Sequence, residues 1–414
     1  MSFIERNKRE RISRQTFQVK GEDAGLAARF HLYSLIASRA KGAEGWEKAK
    51  IQSKPRIVYD LSNLPLFYDF AVYSGRNRLG NIRTGANKSL GNPIISAQTN
   101  PEGWSIDKAV EELNKLVRKD YKGYSISSKR LVCYSYPKLA FMVNLASRER
   151  ETKQILMDVG DYTVISLEPG PAREMLGQIP YSLLSLISEP KERENIEVYN
   201  KVDKNIKEVL VRERNLEPRR YYELKPTERI REIDRSFVFI SPVTEKTLDY
   251  CCHTGSCHDH ACFCLHPQEN SVHCARAAAQ MMLCYWRYCY SQHEIAQAYG
   301  VSDTALTPVG AVVPGLESLT KNCFDATLHW TVNWADCENE IKERRPFMSC
   351  VPGHARACAG TKQWNIWVVN TPRPRYLNIY DPWPPNTGAI YWENFNTTNY
   401  LCNFSLVRRT TSHI

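Results

Sequence analysis

The chain has 414 residues, of which 43% are hydrophobic and 24% are charged, a composition typical of a globular protein with two or three domains. It contains no run of about 18 apolar residues, so we expect no membrane span. The first residues, MSFIERNKRERISRQ, lack the apolar core of a signal peptide, and we therefore expect a cytoplasmic protein.

The formal net charge of +10 is unevenly distributed along the chain. Residues 251–414 contain 12 Lys or Arg and 12 Asp or Glu, so the excess lies entirely in residues 1–250. The basic residues there are mixed with acidic ones, which is typical of a solvated surface, and we expect no nucleic-acid partner. Cysteine follows the opposite trend, because only Cys133 of the 14 cysteines precedes residue 251. A cytosolic chain keeps its thiols reduced, as metal ligands, core residues or nucleophiles.

Residues 1–16 are interpreted as a basic tail, and residues 17–190 as a small α+β domain of unknown role. In this domain, apolar spacing predicts a helix over residues 25–51 and a second helix capped by Ser105. Gly, Asn and Ser predict a loop over residues 73–101. Strands are predicted for the segments RIVYDL, RLVCYSY, KLAFMVNL, ILMDVG and YTVISL.

Residues 191–235 are dense in charge, and we predict a charged linker whose first part is a polar helix. A second domain is predicted over residues 236–414. Its expected strands are SFVFISPV, FMSCV, WNIWVVN and YLNIYD, and its expected helices begin at Cys274, after Ser291, and near residues 316 and 338. Ser291 and Glu294 have the spacing of a capping box.

The candidate active site begins at Cys274, which opens the helical pattern CARAAAQMMLCY. A thiol at the positive end of a helix dipole favours the thiolate, which is the nucleophilic form. Gln268, six residues earlier, would donate an N–H to an oxyanion. His354 is the candidate base, and Asp381 would orient its imidazole.

Competing residues remain for two of these roles. His329 is an alternative base, and Asn370 and Asn378 are alternative orienting groups. The chain order of Cys, His and then a carboxylate or amide is one that thiol proteases use.

These motifs resemble the papain-like cysteine peptidase superfamily, in particular the bacterial branch that includes bacteriocin-leader-processing peptidase domains. The resemblance covers only the C-terminal domain, and it rests on Gln268, Cys274, His354 running to Gly360, and the Asp381-Pro-Trp element. It implies an α+β fold in which helices carrying the Cys pack against an antiparallel sheet carrying the His. Many members have Trp or Gly after the Cys, whereas this chain has Ala275.

The resemblance implies a cysteine peptidase that hydrolyses peptide bonds of a protein or peptide substrate through a Cys274 acyl-enzyme, with no required cofactor. A papain-fold amidase or acyltransferase, such as a deamidase or a transglutaminase-like enzyme, would use the same residues.

A second cluster, CCHTGSCHDHACFCLH over residues 251–266, contains five Cys and four His. Thiolates and imidazoles suit tetrahedral zinc, and the candidate ligands of a structural zinc ion are Cys251, Cys257, Cys262 and Cys264. The segment contains no Cys-x-x-Cys pair, so a disulfide-tied or flexible segment remains an alternative. If this cluster is the functional core, the protein is a zinc-organised binding protein without catalysis.

Overall fold

The computed structural model describes residues 16–168, 170–214, 240–248, 263–366 and 373–409. These residues form seven α-helices, together with short 3-10 turns at Trp46–Lys48, Lys88–Leu90 and Leu184–Leu186. The helices are α1 (Gly21–Ala37), α2 (Ile106–Asp120), α3 (Glu189–Arg214), α4 (Cys274–Tyr285), α5 (Gln292–Ala298), α6 (Val309–Leu319) and α7 (Trp334–Lys342). None of the helices in this part of the chain combines the length and the apolar character needed to cross a bilayer.

The strands of the first half of the chain are β1 (Lys50–Ile51), β2 (Arg56–Asp60), β3 (Pro65–Ser74), β4 (Asn77–Gly85), β5 (Ile94–Gln98), β6 (Tyr124–Ser135), β7 (Lys138–Ser147), β8 (Thr152–Asp158), β9 (Val164–Ile165) and β10 (Met175–Leu176). The strands of the second half are β11 (Ile240–Thr247), β12 (Thr307–Pro308), β13 (Phe324–His329), β14 (Phe347–Val351), β15 (His354–Ile366), β16 (Arg375–Asp381), β17 (Ala389–Asn394) and β18 (Cys402–Arg408).

One mixed sheet of 16 strands runs through the described residues, in the order β13-β18-β14-β15-β16-β17-β5-β4-β3-β2-β6-β7-β8-β9. Strand β1 also pairs with β3, and β11 also pairs with β15. The strands of the second half pair in antiparallel fashion, whereas β2 and β6 are parallel. Strands β10 and β12 form a separate two-stranded ladder.

The two halves of the chain join where β17 pairs with β5, with Trp392 opposite Ala97. Trp392 is fully buried in a cluster that also contains Ala28 of α1 and Ile82 of β4. The sheet is therefore continuous between residues of the first and second halves. The predicted boundaries at residues 16, 190 and 235 stay predictions.

Helix α4 packs on the sheet through small and flexible side chains. Ala275, Ala278 and Met281 share a core cluster with Ala355 and Ala357 of β15. Alanines on both surfaces let the helix approach the strand closely, which brings the first residue of α4 near the first residue of β15. A capping box at Ser291 and Glu294 starts the next helix, as predicted.

The structure corrects several predicted elements. The loop predicted over residues 73–101 is wrong, because this stretch contains β4 and β5. The helix predicted over residues 25–51 is limited to Gly21–Ala37, and the helix near residue 316 begins earlier, at Val309. Parts of two predicted strands, residues 236–239 and 367–370, lie outside the described residues.

The loop prediction failed because glycine has a packing role inside these strands. A Cβ atom at Gly80 of β4 would lie 2.1 Å from the carbonyl oxygen of Gln98 and 2.9 Å from the ring of Trp46. Glycine at this position therefore permits close approach of the neighbouring strand, and does not indicate a turn.

Candidate active site

Cys274 is the first residue of α4, and its side chain is fully buried. The preceding residue, His273, is outside helical geometry and provides no side-chain cap. Backbone N–H groups in the first turn of a helix have no intrahelical acceptor, so their partial positive charge is directed at the region of the Cys274 sulfur.

His354 is the first residue of β15 and follows a turn at Gly353, which has a φ of +68°. Strands β15 and β16 are antiparallel, and this pairing brings the end of β16 next to the start of β15. Asp381 is the last residue of β16, and its Oδ1 atom lies 2.7 Å from His354 Nε2. The sheet register thus pairs two side chains that are 27 positions apart in the sequence.

The tautomer of His354 follows from the state of Asp381. Burial alone would raise the pKa of Asp381, but the neighbouring His354 and the charge of Arg356 hold this pKa below its usual value. An ionised carboxylate only accepts hydrogen bonds, so His354 Nε2 carries the proton that Asp381 accepts. The neutral ring then has its basic lone pair on Nδ1.

The Asp381 carboxylate is fixed by further donors. The Trp383 backbone N–H donates to Oδ1 at 2.9 Å, and the Tyr391 hydroxyl donates to Oδ2 at 2.9 Å. The Trp383 indole N–H is bound in turn by Asp158, at 3.2 and 3.3 Å from the two carboxylate oxygens. Because Asp158 ends β8, a residue of the first half of the chain supports the side of the site that holds His354.

The thiol of Cys274 is activated by its surroundings. Burial by itself would raise its pKa, but the charge of Lys138, the contact with His354 and the backbone at Ala355 lower the pKa to about 7. Other buried thiols behave in the opposite way, because burial raises the pKa of Cys133 and Cys337 to about 12. The environment of Cys274 therefore favours the thiolate where burial alone would suppress it.

Gln268 is fully buried against the loop that follows Asp381. Its backbone N–H donates to the Pro382 carbonyl at 2.9 Å, and its own carbonyl accepts from Asn386 at 2.9 Å. The side-chain nitrogen donates to the Asn270 carbonyl at 2.6 Å, which uses one of its two N–H groups. The oxyanion role of Gln268 stays a prediction.

Two basic residues near the thiol were not singled out from the sequence. Arg276, in the first turn of α4, is buried and donates to the carbonyls of Ser302, Asp303 and Ala305, which fixes that loop against the start of the helix. Lys138, at the start of β7, is also fully buried. The signal for Lys138 was a single lysine between Pro137 and the apolar run LAFMV, but its influence on Cys274 arises only through the tertiary fold.

The competing candidates lie elsewhere or outside the description. His329 is on β13, where its Nε2 atom lies 3.0 Å from Ser405 Oγ. Asn378 is within β16, opposite Gly360 and Trp392. Asn370 lies outside the described residues.

The predicted zinc ligands cannot be placed together. Cys251, Cys257 and Cys262 lie outside the described residues, and Cys264 is partly buried. Within the part of the chain that the structure describes, no group of three or more His, Cys, Asp or Glu is arranged to hold a metal ion. The zinc site stays a prediction.

A short segment, residues 172–177, links the two sides of the site. On the sheet side, Gly353 N donates to Ala172 O at 2.7 Å, and Gly177 N donates to Gly353 O at 3.1 Å. On the helical side, β10 pairs with β12 just before α6. Leu176 also belongs to the core cluster that contains Cys274. Because Cys274 and His354 are fully buried, a ligand could reach them only if the walls of the site or this linking segment moved.

Two solved structures are similar to part of the chain. The peptidase domain of Streptococcus ComA, a bifunctional ABC transporter involved in a quorum-sensing pathway, is 14% identical, with a TM-score of 0.27, and the match covers 35% of this chain and 98% of that one. A double-glycine-motif protease from an AMS/PCAT transporter, in complex with the leader peptide, is also 14% identical, with a TM-score of 0.25, and the match covers 35% of this chain and 91% of that one.

Both neighbours are peptidase domains. The identity and the TM-scores do not establish a family for this chain. No family model matches the sequence, and no curated protein matches it significantly.

Proposed function

We propose that the protein is a cysteine peptidase in which Cys274 is the nucleophile, His354 the general base and acid, and Asp381 the residue that orients His354. The observation that supports this most strongly is the arrangement around His354. Asp381 binds Nε2 at 2.7 Å, and the same imidazole helps to lower the pKa of the Cys274 thiol to about 7. A nucleophile beside a base that a third group orients is the arrangement nucleophilic catalysis requires.

In the first half of the proposed reaction, His354 Nδ1 takes the proton of the Cys274 thiol. The thiolate attacks the carbonyl carbon of the scissile peptide bond, and the carbonyl oxygen takes the negative charge. When this intermediate collapses, the C–N bond breaks and the Nδ1–H proton passes to the leaving amine. The product is a thioester between the substrate acyl group and Cys274.

In the second half, water hydrolyses the thioester. His354 Nδ1 takes a proton from the water as its oxygen attacks the acyl carbon, and the C–S bond then breaks. The acyl group leaves as a carboxylic acid, and the thiolate returns to its imidazolium partner. General acid–base catalysis of this kind contributes about 10²- to 10⁴-fold to the rate.

The oxyanion of both steps would lie at the N-terminus of α4. The backbone N–H of Cys274 is in the first turn of the helix, where it has no intrahelical acceptor. The remaining N–H of the Gln268 side chain is the proposed second donor. Removal of one such donor typically costs about 10²- to 10³-fold in kcat.

Product analysis tests this proposal. The purified protein is incubated with a mixed peptide library and the products are identified by mass spectrometry. We expect cleavage by the wild type and none by Cys274→Ala. The matched control is Cys402→Ala, which removes another fully buried thiol, on β18, and should retain cleavage. Cleavage by Cys274→Ala would contradict the assignment, and products from side-chain deamidation or amine transfer alone would favour the amidase or acyltransferase alternative.

A structural zinc ion at Cys251, Cys257, Cys262 and Cys264 is proposed separately, from the composition of that segment. It takes no part in the reaction steps above.

A further inference from the structure

Lys138 stands at a junction between the two halves of the chain. It begins β7, directly after the turn that ends β6, and its side chain is fully buried. Its Nζ atom donates to the Gly177 carbonyl at 2.7 Å. The Gly177 N–H donates to the carbonyl of Gly353, the residue immediately before His354. Two successive hydrogen bonds therefore connect the ammonium group to the strand that carries the proposed base.

The charge of Lys138 lacks an ion-pair partner of the usual kind. Among the described residues, no carboxylate forms an ion pair with its Nζ atom. Asp158 is near enough to interact through its charge, but it is already bound by the Tyr134 hydroxyl, the Gly160 N–H and the Trp383 indole. A buried ammonium held only by a carbonyl is costly, so this lysine is expected to have a further negative partner.

The available partner is the sulfur of Cys274. The titratable or charged groups around that sulfur are Lys138 from β7, His354 from β15, Arg276 from its own helix and Cys350 from β14. Arg276 donates to three carbonyls of the 302–305 loop. Cys350 is a neutral thiol, because burial raises its pKa well above the usual value. Lys138 donates to Gly177, and the preceding residue, Leu176, packs in the same core cluster as Cys274. Lys138 is thus the cation near the sulfur that is not saturated by other acceptors.

We propose that Lys138 is a positioning residue that holds Cys274 as the thiolate, independently of the protonation state of His354. Its positive charge is the permanent counter-ion of the sulfur, and its hydrogen bond to Gly177 fixes where that charge lies. The first half of the chain thereby supplies a functional group to a site whose nucleophile and base come from the second half.

This inference rests on the proposed function, but its test reads the ionisation of Cys274 and not peptide cleavage. The ultraviolet absorbance of the thiolate is titrated against pH for each protein and for the same protein carrying Cys274→Ser. The difference isolates Cys274 from the other cysteines, and the thiol need not be accessible to a reagent. We expect a wild-type midpoint of about 7.

Two substitutions separate charge from structure at this position. Lys138→Gln retains an N–H donor for the Gly177 carbonyl but removes the charge, and Lys138→Met removes both. We expect the midpoint to rise in each variant toward that of an ordinary cysteine, about 8.5. If Lys138→Met does not fold, Lys138→Gln decides the question, with folding checked by thermal unfolding.

The matched control is Lys362→Met, which removes another buried lysine, one that pairs with Glu245 at 2.9 Å. We expect the Cys274 midpoint to stay near 7 in this variant. An unchanged midpoint in folded Lys138→Gln would overturn the proposal, and so would an equal rise in Lys362→Met. A shifted midpoint in a protein that cleaves no peptide would sustain the role of Lys138 while the peptidase proposal fails.

Discussion

At the scale of single residues, the site depends on which of the two ring nitrogens of His354 carries the proton. Asp381 fixes a proton on His354 Nε2, and this leaves Nδ1 as the basic nitrogen on the ring that contacts Cys274. The Tyr391 hydroxyl and the Trp383 N–H keep the carboxylate in place. The orientation of the base is therefore set by a rigid strand pair and not by a mobile loop.

Asp381→Asn directly tests the role of the Asp381 carboxylate at His354 Nε2. Oδ1 accepts from both His354 Nε2 and the Trp383 N–H, so an amide either loses one of these bonds or keeps both without the negative charge that supports an imidazolium. We expect kcat to fall about 10²- to 10⁴-fold, the usual contribution of general acid–base catalysis, with little change in the unfolding temperature. The control is Asp325→Asn, an exposed carboxylate on β13, which should leave kcat unchanged. An Asp381→Asn enzyme with wild-type kcat would show that His354 needs no orienting carboxylate.

The residues of the site were predictable to different degrees. Cys274 begins a helix that apolar spacing predicts, whereas His354 was selected by chain order and by the resemblance, and the strand there was predicted only from residue 364. Their proximity, however, depends on α4 packing across β15, and Lys138 is brought to the site by the contact of residues 172–177 with the turn before β15. Long-range contacts of this kind leave no periodic signal, so the sequence pointed to the reacting groups but not to the lysine beside them.

At the scale of elements, the linking segment 172–177 joins the two sides of the buried site. It hydrogen-bonds to Gly353 on the sheet side and to Val309 on the helical side, through the Glu174 carbonyl. Leu176 inserts between these sides and is fully buried. Any opening of the site has to break these hydrogen bonds or move one of the two surfaces that the segment joins.

Leu176→Ala should loosen the segment, because truncation of a buried leucine costs about 2–5 kcal/mol locally. We expect iodoacetamide to alkylate Cys274 several-fold faster in this variant, measured by mass spectrometry of the peptide that contains Cys274. The matched control is Leu406→Ala, a fully buried leucine of the same core cluster on β18. Equal acceleration in both variants would indicate general destabilisation, and would exclude a specific gating role for the segment.

The elements themselves were predicted best where side chains alternate along a strand. The segments of β2, β6, β7, β8 and β14 were expected as strands and are confirmed. Strands β4 and β5 were missed because glycine has low β propensity. At Gly80 it is present because the neighbouring strand approaches too closely for a side chain. Strands β13, β17 and β18 were also not predicted, since their short apolar runs do not distinguish a strand from other buried segments.

At the scale of the whole molecule, the sheet connects the candidate site with the first half of the chain. Strand β17, next to the strand that ends in Asp381, pairs on its other side with β5. Trp392 is buried across this join, and its indole N–H donates to the Lys41 carbonyl at 3.0 Å. Truncation of a buried tryptophan to alanine typically costs about 3–5 kcal/mol, so the join is a substantial part of the folding energy.

The first half of the chain also reaches the site chemically, through Lys138 beside the thiol and Asp158 behind Trp383. A fold built this way couples the electrostatics of the nucleophile to the packing of both halves.

The proposed chemistry requires Cys274 to be a thiolate nucleophile paired with His354. The most direct measurement is the pH dependence of Cys274 labelling by an electrophilic peptide probe, resolved by mass spectrometry from labelling of the exposed Cys289 and Cys323. Because the thiolate is the reactive form, we predict that the rate rises with pH through a midpoint of about 7, and that His354→Ala moves the midpoint upward. Labelling confined to the exposed cysteines, or a Cys274 midpoint of about 8.5 that His354→Ala does not change, would contradict the claim.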